Sequence, residues 1–260
     1  MKRRFELQAY LAFKIQSLDD VMTITKELKS SDYFLFIDFK RDPAKPSDLP
    51  CSLFTHQELA IAHHLGFKQI IAMQEKGAPL EGFLRYVLSN PEPFSDADDL
   101  LKKLETLVEE KGWHRGYSRN LVPSNLTYTP SLSYGDHAGT HRMRVWELQI
   151  HNRRADSAAT STVCVLDCIL HPDGTRTDPD RSYLKWSGQA GYERTILPED
   201  FAVVALFSIH AEEQGIFLLS LRDAFPRIPL GRADGEYELH YKVYADGFPL
   251  LRLYVVPTVA

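Results

Sequence analysis

Glu58 is the side chain whose setting in this sequence most suggests chemistry. It lies in the stretch Ser52 to Ala62, Ser-Leu-Phe-Thr-His-Gln-Glu-Leu-Ala-Ile-Ala, between one apolar run at Tyr33 to Phe39 and another at Phe67 to Met73. Strand, loop, helix, strand is the order of a parallel α/β unit. The start of such a helix faces the carboxyl ends of the strands, the edge at which open α/β sheets bind ligands. A carboxylate there can stabilise positive charge or bind hydroxyls. Asp38 closes the preceding strand and could support Glu58 or a bound ligand at the same edge.

Other reactive groups point to less. His56, His63 and His64 share the helix, but 63 and 64 are adjacent and face differently, so structural roles are expected rather than a metal site. His137 and His141 fall in a Gly-rich stretch with no helix to align them, and surface positions are expected. The three cysteines are Cys51, Cys164 and Cys168. The last two are four apart in a strand-like run, on one face yet too far apart to bridge. That sparse, odd set suits a reducing compartment, which makes the cytoplasm the expected location.

The elements that position Glu58 can be read in order. Residues 5 to 13 alternate as a strand. Ser17 reads as an N-cap for a helix with Val21, Ile24 and Leu28 on one stripe. Pro43, Pro46 and Pro50 mark a loop ahead of the Glu58 helix, which Gly66 closes. A short helix is expected over Leu80 to Leu88, an edge strand near Asn90 to Phe94, and an amphipathic helix capped by Ser95 and ended by Lys111 and Gly112. The spacing predicts a small parallel sheet with helices on both faces.

From Trp113 the texture changes. Residues 113 to 142 are rich in Ser, Thr, Pro, Gly and Tyr and read as a linker. Period-two runs follow at 142–151, 160–170, 183–186, 201–209, 215–221, 237–244 and 250–256, with turn signals such as Pro172-Asp173-Gly174 between several of them. They predict an all-β sandwich. Trp186 takes the place of a core tryptophan, and Tyr237 that of a tyrosine corner, with Leu239 where an immunoglobulin domain carries its second cysteine. The resemblance is to immunoglobulin-like sandwiches without the disulfide. The expected domains are residues 1–118, α/β with a small flavodoxin-like parallel sheet, and residues 119–260, an immunoglobulin-like β-sandwich.

Composition narrows the partners. A formal net charge of −5 over 260 residues gives no basic footprint, so no nucleic acid is expected as a partner. No apolar run reaches the ~20 residues that span a bilayer, so no membrane is expected either. The start, Met-Lys-Arg-Arg-Phe-Glu-Leu, lacks the apolar core of a signal peptide.

The pattern Ser-x-Phe-x-x-x-Glu-Leu-x-x-Ala over Ser52 to Ala62 is similar to the Ser-x-Trp-x-x-x-Glu-Leu-x-x-Ala signature of Toll/interleukin-1 receptor (TIR) domains. The resemblance covers roughly residues 5 to 112 and omits the family's first β–α unit. It implies that Glu58 is the glutamate that cleaves the bond between nicotinamide and ribose in NAD⁺. Ser52 would line the ribose side and Phe54 would replace the usual tryptophan. Departure of nicotinamide leaves an oxocarbenium-like ribose, which one carboxylate can stabilise. The leaving group needs no proton, because it is already cationic. No cofactor is implied, since NAD⁺ is the substrate. The resemblance further implies a homo-oligomer formed through the TIR-like domain, a β-sandwich that takes an unknown ligand or protein, and a place in prokaryotic antiviral defence. A non-catalytic nucleotide-binding or interaction module and a nucleoside deoxyribosyltransferase-like enzyme are the alternatives.

Overall fold

A computed structural model of the chain describes residues 18–40, 53–78, 91–136, 139–179, 182–188, 191–210, 215–219 and 227–259. The strand expected at residues 5–13, the Ser17 cap, the helix expected over Leu80 to Leu88, Cys51 and His137 lie outside these residues. The chain divides into two compact units, Met1–Arg119 and Asn120–Ala260. The fold is mixed and sheet-rich, with a small parallel sheet in the first unit and antiparallel sheets in the second.

In the first unit, helix α1 (Leu18–Ser30) leads into β1 (Phe34–Asp38), α2 (Leu53–His64) into β2 (Ile70–Glu75), and β3 (Glu92–Phe94) into α3 (Ala97–Glu110). The three strands pair in parallel in the order β1-β2-β3. Alternation along the strands sends side chains to opposite faces. Phe34 and Phe36 join Ile24 and Leu28 of α1 and Leu59 and Ala62 of α2 in one apolar cluster. Ile71 and Met73 join Phe94, Trp113 and Leu100, Leu104 and Val108 of α3 in another.

Both described helix ends that carry glycine use it for a backbone requirement. Gly66 takes φ +67°, and Phe67 N–H donates to Ala62 O at 3.1 Å, which terminates α2. Gly112 does the same for α3 with φ +64°. The cap of α3 is Asp96 rather than the expected Ser95: its carboxylate accepts from Asp99 N at 2.9 Å. Ser95 N in turn donates to Asp99 Oδ2 at 2.9 Å, so the two acidic side chains share the helix start.

The segment after α3 folds back on this unit. Tyr33 stacks on Trp113 at 4.5 Å between centroids, and its hydroxyl exchanges hydrogen bonds with the His114 backbone. Asp32 accepts from Ser118 Oγ at 2.7 Å and from Arg119 N at 3.0 Å. The Arg119 guanidinium lies 4.1 Å over the Phe67 ring and donates to Leu65 O.

The second unit has a five-stranded antiparallel sheet in the order β11-β10-β9-β5-β4, formed by β4 (Leu121–Asp136), β5 (Gly139–Asn152), β9 (Phe201–His210), β10 (Ile216–Leu219) and β11 (Arg227–Gly231). The other large sheet holds β6 (Ala159–Leu170), β7 (Arg176–Thr177), β8 (Glu193–Ile196), β13 (Glu238–Tyr244) and β14 (Leu251–Val255), while β12 (Gly235–Glu236) and β15 (Thr258–Val259) pair separately. One apolar cluster draws residues from both sheets: Ile150, Val204, Leu206 and Leu218 from the first, and Cys164, Leu166, Leu239 and Val243 from the second.

The long edge strand β4 arises from the stretch that composition marks as a linker. Pro123 and Pro130 are tolerated because the strand lies at an edge. Register shifts between Ser124 and Leu126 and between Thr129 and Leu132 break its alternation, and Asn125 takes φ +20°. A period-two reading therefore loses the strand. Residues 182–187 also differ from expectation. They are bridged to both sheets, Tyr183 to Val165 and Trp186 to Val204, instead of forming a strand of one.

Tyr237 is buried, and its hydroxyl donates to Ala233 O four residues upstream at 2.9 Å. Its ring fills the space where Gly231 has no side chain. A Cβ at Gly231 would stand 2.1 Å from Tyr237 Cε1. Gly231→Ala is therefore expected to cost about 3 kcal/mol, seen as a lower midpoint in urea. An unchanged midpoint would show that the ring can move aside.

Candidate functional site

The carboxyl edge of β1 and β2 gathers the polar groups of the first unit. Asp38 ends β1 in register with Gln74 of β2, and its side chain is only 1% exposed. Gln74 Nε2 donates to Asp38 Oδ2 at 3.1 Å. His56, on the first turns of α2, brings Nε2 to 3.7 Å from the same oxygen and packs against the Phe36 ring. That nitrogen is buried and has no hydrogen-bond partner among the described residues. The imidazole as a whole keeps 16% of its surface exposed.

The rim of this edge is more open. Phe39 is 52% exposed and meets Phe94 edge-on at 5.3 Å. Lys40 N donates to Glu75 Oε2 at 2.8 Å. The Lys40 ammonium lies against Gly77, where a Cβ would approach it to 3.0 Å. Lys76 Nζ donates to Ser95 Oγ at 3.0 Å.

Glu58 projects from the same half of α2 in a different direction. At about 100° per residue, it and His56 leave the helix on opposite flanks of the buried Leu59–Ala62 stripe. Glu58 is half-buried, and burial pushes its carboxyl above the ordinary glutamate range. No hydrogen bond or ion pair to Glu58 occurs among the described residues. The groups that contact Asp38 are Gln74 and His56, not Glu58. Ser52 lies outside the described residues. Phe54 sits in α2, with its side chain outside them.

The remaining expected sites stay apart from this edge. His63 and His64 are exposed at the end of α2. The His141 side chain lies outside the described residues. Cys164 and Cys168 are free and buried on β6, and burial pushes both thiols up. Among the described residues, no three His, Cys, Asp or Glu side chains group as metal ligands. No helix among them is long and apolar enough to cross a membrane.

No protein-family model matches the chain, and no curated protein does. Among solved structures, a family 123 glycoside hydrolase from Clostridium perfringens is similar over 46% of this chain and 21% of its own length, at 10% identity and a TM-score of 0.29. The chain thus spans about a fifth of that hydrolase. A structural genomics target is similar over 52% of this chain and 82% of its own, at 10% identity and a TM-score of 0.26. Neither likeness carries an argument about the fold or the site.

In the sequence His56 reads as a structural histidine, and Gln74 carries no site signal of the kind that marks Glu58. A signal for Gln74 existed: it is the polar residue that ends an apolar run, as Asp38 ends the run of the neighbouring strand. For His56 the signal was its place three residues before Leu59, on the flank of the buried stripe.

The raised carboxyl of Glu58 has a consequence for stability. With its folded value above the usual 4.5, this group's contribution is fully present below that range and is lost as pH rises through the folded value. Glu58→Gln cannot ionise. Its stability is therefore expected to gain on the wild type as pH rises through and above the ordinary carboxylate range in urea titrations. A constant difference across that range would mean that the folded carboxylate is fully solvated.

Proposed function

We propose that the first unit is a TIR-like domain that binds NAD⁺ at the carboxyl edge of its parallel sheet and cleaves the nicotinamide–ribose bond. The observation that carries this reading is Glu58, a half-buried carboxylate without a partner among the described residues, on the helix that follows β1. Such a group is ionised at a cost that an adjacent cation lowers. The charge that develops on ribose as nicotinamide departs is a cation of that kind. The sequence resemblance assigns the ribose side to Ser52 and the aromatic role to Phe54. Asp38 sits behind the edge with Gln74 and His56.

In this reading the second unit is an immunoglobulin-like β-sandwich that takes a ligand or protein and controls the first. The Tyr237 hydroxyl bond to Ala233 O and the buried Trp186 support that assignment. The protein works in the cytoplasm, self-associates through the TIR-like unit, and belongs to antiviral defence. Incubation with NAD⁺ beside a Glu58→Ala control tests the catalytic role. Nicotinamide release that survives the substitution removes Glu58 from it. A second reading, a nucleotide-binding module without turnover, is favoured by the Gln74 bond that already occupies Asp38. Saturable NAD⁺ binding with no product over long incubation would select it.

A further inference from the structure

We propose that the second unit binds a small uncharged compound with one aromatic ring, in a cavity of about 180 Å³ between residues of its two large sheets. This ligand class rests on the reading of the second unit as a ligand-binding domain and is independent of NAD⁺ turnover in the first. Leu126 of β4, Trp146 of β5, and Phe207 and Ile209 of β9 line one side of the cavity. The stretch from Val255 to Thr258, which joins β14 to β15, lines the other. Trp146, Ile209 and Val255 pack against the core cluster yet stay partly exposed, so apolar surface of the core reaches solvent here. Leu126 and Val256, one on each side, are 49% and 47% exposed and form the mouth.

The chemistry of the walls selects the ligand. Trp146 lies 5.1 Å from Phe207 with the rings 12° from parallel, and Tyr128 adds a third ring 5.6 Å from Trp146. This stack across three strands is a pre-formed aromatic wall, and aromatic rings attract one another beyond the area they bury. Among the described residues the lining carries no charged side chain, and Thr258 supplies its one hydroxyl. The Pro257 carbonyl already accepts from Tyr237 N–H at 3.0 Å, and Thr258 pairs with Glu236 in the β12–β15 ladder. A buried water needs about two to four polar partners, and a sugar ring needs more, so either would leave hydrogen bonds unmade here. A carboxylate would lose its hydration with no cation to face. A neutral ring loses neither. An apolar cavity of about 150 Å³ holds one benzene, so one of about 180 Å³ takes a single ring with a small substituent.

p-Cresol, methyl β-D-glucoside and benzoate are titrated separately into the isotopically labelled full chain at neutral pH. Intermolecular NOEs to the methyl groups of Leu126, Val255 and Val256 report the place of binding. p-Cresol is expected to saturate with NOEs to these methyls, and the other two to bind at least about tenfold more weakly. Val256→Trp, which fills the mouth from an exposed position, is expected to weaken p-cresol at least about tenfold. Leu126→Trp blocks the mouth from the other side and decides the matter if Val256→Trp unfolds. Glucoside or benzoate binding as tightly as p-cresol, with NOEs to the same methyls, overturns the ligand class and leaves the second unit a ligand-binding domain. p-Cresol binding that a folded tryptophan variant leaves unchanged, or NOEs only elsewhere, overturns the cavity as the site. No saturable binding by any of the three overturns the reading of the second unit as a small-ligand domain and this inference with it.

Discussion

Trp186→Ala is expected to cost about 3–5 kcal/mol and to lower the calorimetric midpoint of the second unit by roughly 10–20 °C. Trp186 has no exposed surface and packs in the cluster that draws on both sheets. Its segment is also the crossing between them. Leu184 N donates to Cys164 O and Leu166 N to Ser182 O on one side, while Ser187 N donates to Val203 O and Ala205 N to Lys185 O on the other. The indole Nε1 donates to Tyr192 O at 3.1 Å, so truncation also leaves that carbonyl without its donor. Domains of this size are stable by only about 5–15 kcal/mol. A loss under about 1 kcal/mol would show that the crossing collapses around the cavity and that Trp186 does not hold the two sheets together.

Glu58→Gln is expected to lower the rate of nicotinamide release about 100- to 1,000-fold, in kcat rather than in NAD⁺ affinity. The amide matches the carboxylate in shape but carries no charge, so it loses the attraction that grows only as the ribose becomes cationic. Glu110, exposed at the far end of α3, serves as a control, and Glu110→Gln is expected to leave the rate unchanged. A Glu58→Gln defect confined to KM would move the carboxylate from charge stabilisation to ground-state binding.

The parallel sheet was legible because its signals are local. The apolar run at Tyr33 to Phe39 contains β1 and that at Phe67 to Met73 contains the first four residues of β2, Gly66 closes the intervening helix, and acidic residues open α3. The Tyr237 hydroxyl bond is local in the same way, since it reaches a carbonyl only four residues away. Strand β4 was hidden by its prolines and register shifts, which are compatible with an edge position but disturb the alternation that reveals strands. The Trp186 segment was hidden because each half pairs with a different sheet.

The candidate site divides in the same way. Glu58 could be singled out from its place in a strand–helix–strand pattern. The contacts among Asp38, His56 and Gln74 could not, because they join residues 18 to 36 positions apart and depend on how β2 registers against β1 and how α2 lies on both.

Quantifying nicotinamide and ADP-ribose formed from NAD⁺ by the full chain, with Glu58→Gln beside it, tests the central claim most directly. Catalysis by Glu58 predicts that both products rise together with time in the wild type and that the variant forms almost none. No product from the wild type, or the same progress curve from both proteins, would contradict it.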